Sequence, residues 1–470
     1  MRVSLASLCV APRTNSAAAI GPHGPQTRPG GIRATLHLAA APILALLSGC
    51  SDLLPLLEDD DLIRSGYVIE VTFRFDDFAT GARVYGGYGL ASQLSGGFLA
   101  HEFGAQDDEG DPQETGLSAR TLSRFPNYPR LAQVLDTLGV IQIDSSLTFV
   151  SGQVLTRIDT VASVHDGPVE IVAHALSEPW DAPSATWEYA VDTIGHRTPW
   201  TTPGGGAARR IGSATWDPEE GDSVGFFVDS AQIAEWGDTT DIGRGLRLST
   251  TTPGVRLRVS SSLLRLDTRP SVNPDTLIEL SAPLQINTFI YAPTPSQPRK
   301  TLRVGGAPAW RSVIHFDIPT ELHGPPELCE ALDCPVEIGE EHVSFAALRL
   351  VTRVGPRAFA PSDTVPLDLR SVLAPEVLPK SPLGNSRIGA QAVPHDLFVA
   401  PAGEVVELPV TTLVRDLLRG ETVFGDPISG SAAVLTTTEP YSIDHLTFEG
   451  AESQLAPSLR VVLIFARGGR

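Results

Sequence analysis

Methionine is almost missing from this chain, one in 470 residues; lysine is scarce, and cysteine stops at four. Scarce Met and Lys beside many Thr and Val argue against a helical protein. The longest apolar stretch, residues 34–47, holds about fourteen residues broken by His37 and Pro42. A helix crossing a bilayer needs ~20, so no spanning segment is expected. Catalytic signatures are missing too: there is no His-Glu-x-x-His, no Gly-x-Ser-x-Gly and no Walker loop. Gly204-Gly205-Gly206 lacks the strand-then-helix setting of a dinucleotide site. No cofactor is implied, and the eleven His are dispersed.

Glycine (43) and proline (39) are plentiful without repeating, as suits many turns. The formal charge is −20, and Arg2, Arg13, Arg28 and Arg33 face no acidic residue before position 50. The remainder therefore carries 31 basic against 55 acidic side chains, a net of −24. Such a surface repels phosphate backbones, which excludes nucleic acid as a partner.

Arg33, the apolar stretch and Leu47-Ser48-Gly49-Cys50 have the form of a secretory signal with small residues at the cut. The last four resemble a bacterial lipobox, which implies cleavage before Cys50 and acyl chains on that cysteine. Several chains anchor durably where one does not. The expected partner is thus a membrane, held through lipid on Cys50. Ser51 stands where Asp retains enteric lipoproteins at the inner membrane, so the outer membrane is favoured. Cys329 and Cys334 are the remaining nearby pair, and an oxidising compartment favours a disulfide between them over free thiols or a metal site.

Residues 50–66, with an acidic run at 58–61, read as a tether. Beyond it, period-2 alternation recurs: Val68-Ile69-Glu70-Val71-Thr72-Phe73, Val169-Glu170-Ile171, Val224-Gly225-Phe226, Leu246-Arg247-Leu248 and Val255-Arg256-Leu257. Val313-Ile314-His315-Phe316, Leu348-Arg349-Leu350, 405–410 and 459–465 continue it. A helical stripe is expected at 411–419, stopped by Gly420, and a weaker one at 129–138.

Four segments recur in the same order at offsets of about 180–200. Leu122-Ser123-Arg124-Phe125 resembles Val313-Ile314-His315-Phe316, and 148–157 aligns with 344–353. Residues 228–237 parallel 410–420, and 248–253 match 435–440. The expectation is all-β: two tandem antiparallel β-sandwich (jelly-roll-like) domains, 67–270 and 271–470, after a signal peptide at 1–49. The boundary falls in the turn-rich stretch 267–275.

The order of these elements resembles the DNRLRE-type β-sandwich domain of bacterial surface proteins, a family that includes carbohydrate-binding modules. Arg311-Ser312-Val313-Ile314-His315-Phe316-Asp317 and Ala347-Leu348-Arg349-Leu350 carry the likeness in the second copy. Trp180 with Thr186-Trp187, then Pro199-Trp200, carry it in the first. The second copy lacks the Trp elements, and the first has Phe125-Pro126 in place of Phe-Asp.

Trp180, Trp187, Tyr189 and Trp200 crowd 21 residues, and flat aromatic faces bind sugar rings while Glu178, Asp181 and Arg197 could fix hydroxyls. Their other use is to fill the sandwich core. Asp107-Asp108-Glu109-Gly110-Asp111 gathers oxygen ligands but lacks the EF-hand spacing, so a solvated loop is expected there. The functional expectation is a non-catalytic envelope lipoprotein binding a glycan or another envelope component. A structural assembly protein is the alternative, and a polysaccharide hydrolase the third.

Overall fold

The computed structural model describes residues 2–5, 66–88, 96–104, 116–125, 128–238, 245–282, 286–293, 298–306, 309–324, 326–332, 334–399, 401–439 and 442–466. Strands dominate, in large antiparallel sheets. The alternating runs become strands because each can bury one face: Gly66–Phe73 sinks Ile69, Val71 and Phe73 and leaves Glu70 in solvent. Each buried Val, Leu, Ile or Phe contributes ~1.5–3 kcal/mol.

Two sheet systems share one pattern of pairing. In the first, Leu147–Val164 lies between Ser223–Asp229 and Val255–Pro270. Leu117–Arg124 pairs with Gly97–Phe103, Gly245–Thr250 and Ile286–Ala292. In the second, Val343–Arg353 lies between Val405–Pro409 and Ser458–Ala466. Ala309–Phe316 pairs with Thr301–Gly305, Ser431–Thr436 and Ala79–Tyr88. The segments that repeat in sequence thus occupy equivalent places.

The chain trades two strand pairs between these systems. Gly66–Phe73 closes on Ser458–Ala466, and Ala79–Tyr88 on Ala309–Phe316, so residues 66–88 complete the second system. Ile278–Ala282 closes on Val255–Pro270, and Ile286–Ala292 on Leu117–Arg124, completing the first. Strand pairing therefore departs from the division at 270 and 271 at both ends. The Asp267–Asp275 stretch is a strand end and a turn inside the first system. Arg2–Leu5 lies antiparallel along the outer edge of Gly66–Phe73.

Core packing follows the pairing. Val154, Ile171, Phe226, Leu248, Leu257 and Leu264 pack between the sheets of the first system; Ile69, Leu348, Leu367, Leu413, Phe448 and Leu463 do so in the second. Phe98, Phe103, Phe289 and Tyr291 meet Phe359 and Ile443 where the systems abut.

The expected helix at 411–419 is present as Thr411–Arg419, with Gly420 left-handed at φ 85° as its stop. Residues 129–138 are not helical. Ala132–Leu135 instead pairs with Ile141–Asp144 in a two-stranded hairpin. Cys329 and Cys334 form a disulfide.

Candidate functional site

The aromatic cluster sits on the loop between Val169–Leu176 and Ala208–Trp216. Its rings are brought together, and two of them are consumed by packing. Trp180 (2% exposed) and Trp200 (4%) fill a small core with Leu122, Leu176, Ala182 and Ile290. Trp200 Nε1 donates to Thr186 O at 2.9 Å, and the Arg124 guanidinium covers Trp180 at 4.6 Å. Neither ring offers a face to a sugar; both fasten the loop to the sheet.

Trp187 and Tyr189 are half-buried, each with a guanidinium over one face: Arg120 at 4.8 Å and Arg197 at 5.4 Å. Exposed Arg197 is paired with Asp192 at 2.6 Å. The expected polar partners serve their own loop. Asp181 accepts from Ser184 Oγ at 2.5 Å. Glu178 accepts from the Thr201 amide at 3.0 Å and from Thr201 Oγ1 and the Ala207 amide. Burial pushes the Glu178 carboxyl up, but those donors, with Arg247 nearby, hold it below the usual range. Gly204, Gly205 and Gly206 all have positive φ, and a Cβ on Gly206 would meet Glu178 Oε1 at 2.3 Å. Arg120 and Arg247 donate to the carbonyls of this glycine run. Beneath it, His174 is pushed down to about 4, first by burial and then by Arg247, Arg120 and Arg210.

Two other features escaped the sequence reading. The first is the hairpin Ala132–Leu135/Ile141–Asp144. Asp136 Oδ1 accepts the amides of Leu138 and Val140 at 2.8 and 2.9 Å, closing the turn. These bonds, that from Val140 foremost, hold its carboxyl below the usual range. The inner face, with Ala132 and Val134 buried, is pinned by Asp144, which accepts from Ser146, Ser271 and Val272. Leu131, Leu135, Leu138, Val140, Ile141 and Ile143 are 55% to 86% exposed. At the hairpin's foot lies a cleft of about 1060 Å³, lined in part by Tyr128, Leu147, Phe149, Ile233 and Ala234. The second feature is a smaller pocket where the two systems meet, taken up below.

Residues 107–111 and Cys50 lie outside the described residues. Among the described residues no group of His, Cys, Asp and Glu is arranged to hold a metal ion, and no helix is long and apolar enough to cross a membrane. Fold and surface define the class: an all-β, disulfide-bearing chain of antiparallel sandwich-like sheets. No protein-family model and no curated protein matches the chain.

Proposed function

We propose that this chain is a non-catalytic, lipid-anchored protein of the bacterial envelope that works by assembly, and that its building contact is with a second copy of itself. The exposed aliphatic hairpin carries the reading. Isolated two-stranded hairpins are marginal in water, and apolar patches of this kind mark contact surfaces. Aliphatic side chains lack the flat faces and donors that sugars need, so the surface favours protein. An apolar projection stands beside a cleft that is apolar at Leu147, Phe149 and Ile233 and polar at Arg130, Thr148 and Asp238; Leu138 of each copy enters the apolar part of the other's cleft about a twofold axis. The lipobox resemblance at Leu47-Ser48-Gly49-Cys50 and the Cys329–Cys334 disulfide support an exported, anchored protein, with the outer membrane favoured by Ser51; in the cleaved chain Arg2–Leu5 is gone and the outer edge of Gly66–Phe73 is open.

Sedimentation of the purified protein tests this. A concentration-dependent dimer that Leu138→Asp or Ile141→Glu turns into a monomer, with the thermal midpoint unchanged, is expected. A wild-type chain monomeric at high micromolar concentration overturns it. Anchorage is tested by the mass of the N-terminal peptide and by release of Cys50→Ala from membranes.

A second reading, glycan binding, rests on the half-exposed rings of Trp187 and Tyr189 and on the resemblance to DNRLRE-type domains. It requires Trp187→Ala to abolish retention on a polysaccharide column without unfolding the loop.

A further inference from the structure

A pocket of about 340 Å³ opens where the two sheet systems meet. The first system supplies Phe103, Ser163, His165 and Arg256; the second supplies Arg357, Ser362 and His395. On a chain with a large acidic excess, its described lining holds two arginines and two histidines and no carboxylate.

Arg256 is the most informative of these. It is 1% exposed, and its guanidinium lies 5.0 Å from the Phe103 ring centre. Nη1 is used: it donates to Ala358 O at 3.2 Å and lies 2.8 Å from Asp444. Nε is buried with no hydrogen-bond partner. The same is true of His165 Nδ1, whose ring is held edge-on to Trp216 at 5.0 Å. Two buried ring or guanidine nitrogens without partners are expensive unless something completes them. Both belong to side chains lining one cavity.

We propose that this pocket binds the oxyanion of a small ligand, a phosphate monoester or a sugar carboxylate, between Arg256, Arg357, His165 and His395. Arginine donors match carboxylate and phosphate geometry. The volume is at the lower end of small-ligand sites, enough for the anionic group and a body of about one sugar ring. Asp444 faces Arg256 from the inner side, so the nitrogens left for an occupant are Arg256 Nε and His165 Nδ1, with Arg357 and His395 lining the exposed mouth. Because the lining comes from both sheet systems, an occupant ties them together, and binding stabilises the whole fold.

Calorimetric titration and thermal unfolding of the full chain test this at constant ionic strength, with inorganic phosphate, glucuronate and glucose as probes. Saturable one-to-one binding of phosphate or glucuronate is expected, with a raised midpoint; glucose gives neither. Phosphate alone assigns a phosphate monoester, glucuronate alone a uronate. Arg256→Leu risks the fold, so Arg357→Gln and His395→Ala, both at exposed positions, are the working variants. Each weakens affinity by about tenfold or more, with the ligand-induced rise read against that variant's own ligand-free midpoint. Lack of saturable binding by either anion overturns the proposal, as does unchanged affinity in both variants.

Discussion

Arg256 and Asp444 meet across the junction of the two sheet systems at 2.8 Å, the first 1% and the second 17% exposed. Burial pushes the Asp444 carboxyl upward, and Arg256 opposes that shift. A buried pair of this kind contributes little net stability, but removing one partner strands the other charge. Asp444→Asn is expected to lower unfolding free energy by ~3–5 kcal/mol. Arg256→Leu with Asp444→Leu should recover most of that loss. Urea titrations of Asp444→Leu, Arg256→Leu and their double variant, with Asp444→Asn alongside, decide it; additive losses would show that the two side chains are not coupled.

The indole rings separate by role. Trp180→Ala empties a buried site and is expected to cost ~3–5 kcal/mol. Trp187→Ala, at a half-buried position, should cost far less. Equal losses would mean that Trp187 belongs to the same core as Trp180.

His445 is buried and stacks on Phe359 at 5.0 Å, with both ring nitrogens lacking a hydrogen-bond partner. Burial, then Arg303 and Arg256, holds its pKa well below 6.5. The folded state therefore keeps it neutral at a pH where the unfolded chain binds a proton. Its contribution to stability is complete above about 6.5 and declines as the pH falls below that value. His174, held at about 4, acts in the same direction between those two values. Replacing an unpartnered polar ring with an apolar one of similar shape is neutral or favourable by up to ~1 kcal/mol. His445→Phe should thus match or exceed the wild-type thermal midpoint at pH 7 and lose less of it on going to pH 5. Parallel midpoint curves would refute the assignment.

Strand exchange predicts which fragments fold. Residues 96–293 contain every described strand of the first system and should unfold cooperatively in denaturant. Residues 67–270 lack Ile278–Ala282 and Ile286–Ala292, and carry two strands whose partners lie beyond residue 300. That fragment is expected to aggregate or to stay partly unfolded. Equal cooperativity in both would show that the exchanged strands add nothing.

That contrast also marks what could be read from the residues. Alternation identifies Ser458–Ala466 because that strand buries one face, whereas Val169–Leu176 alternates only at its start and is buried on both faces from Ile171. It could not say which neighbour Gly66–Phe73 joins, since either system offers an apolar face of the same period. The hairpin was hidden by coincidence: Leu131, Val134, Leu135 and Leu138 have helical spacing, yet Asp136 captures the Leu138 and Val140 amides and Gly139 turns the chain at φ 80°. Crowding of Trp180, Trp187 and Trp200 was plain, but ring exposure depends on Leu122 and Ile290, far away in sequence.

Synthesis delivers Gly66–Phe73 early and its partner Ser458–Ala466 last. Until then the leading strand must wait with its amide edge unsatisfied while the enclosed system, whose last strand is Ile286–Ala292, closes first. Newly made chains thus pass through a long half-finished interval, when an outside protector or a swift final stretch separates success from aggregation.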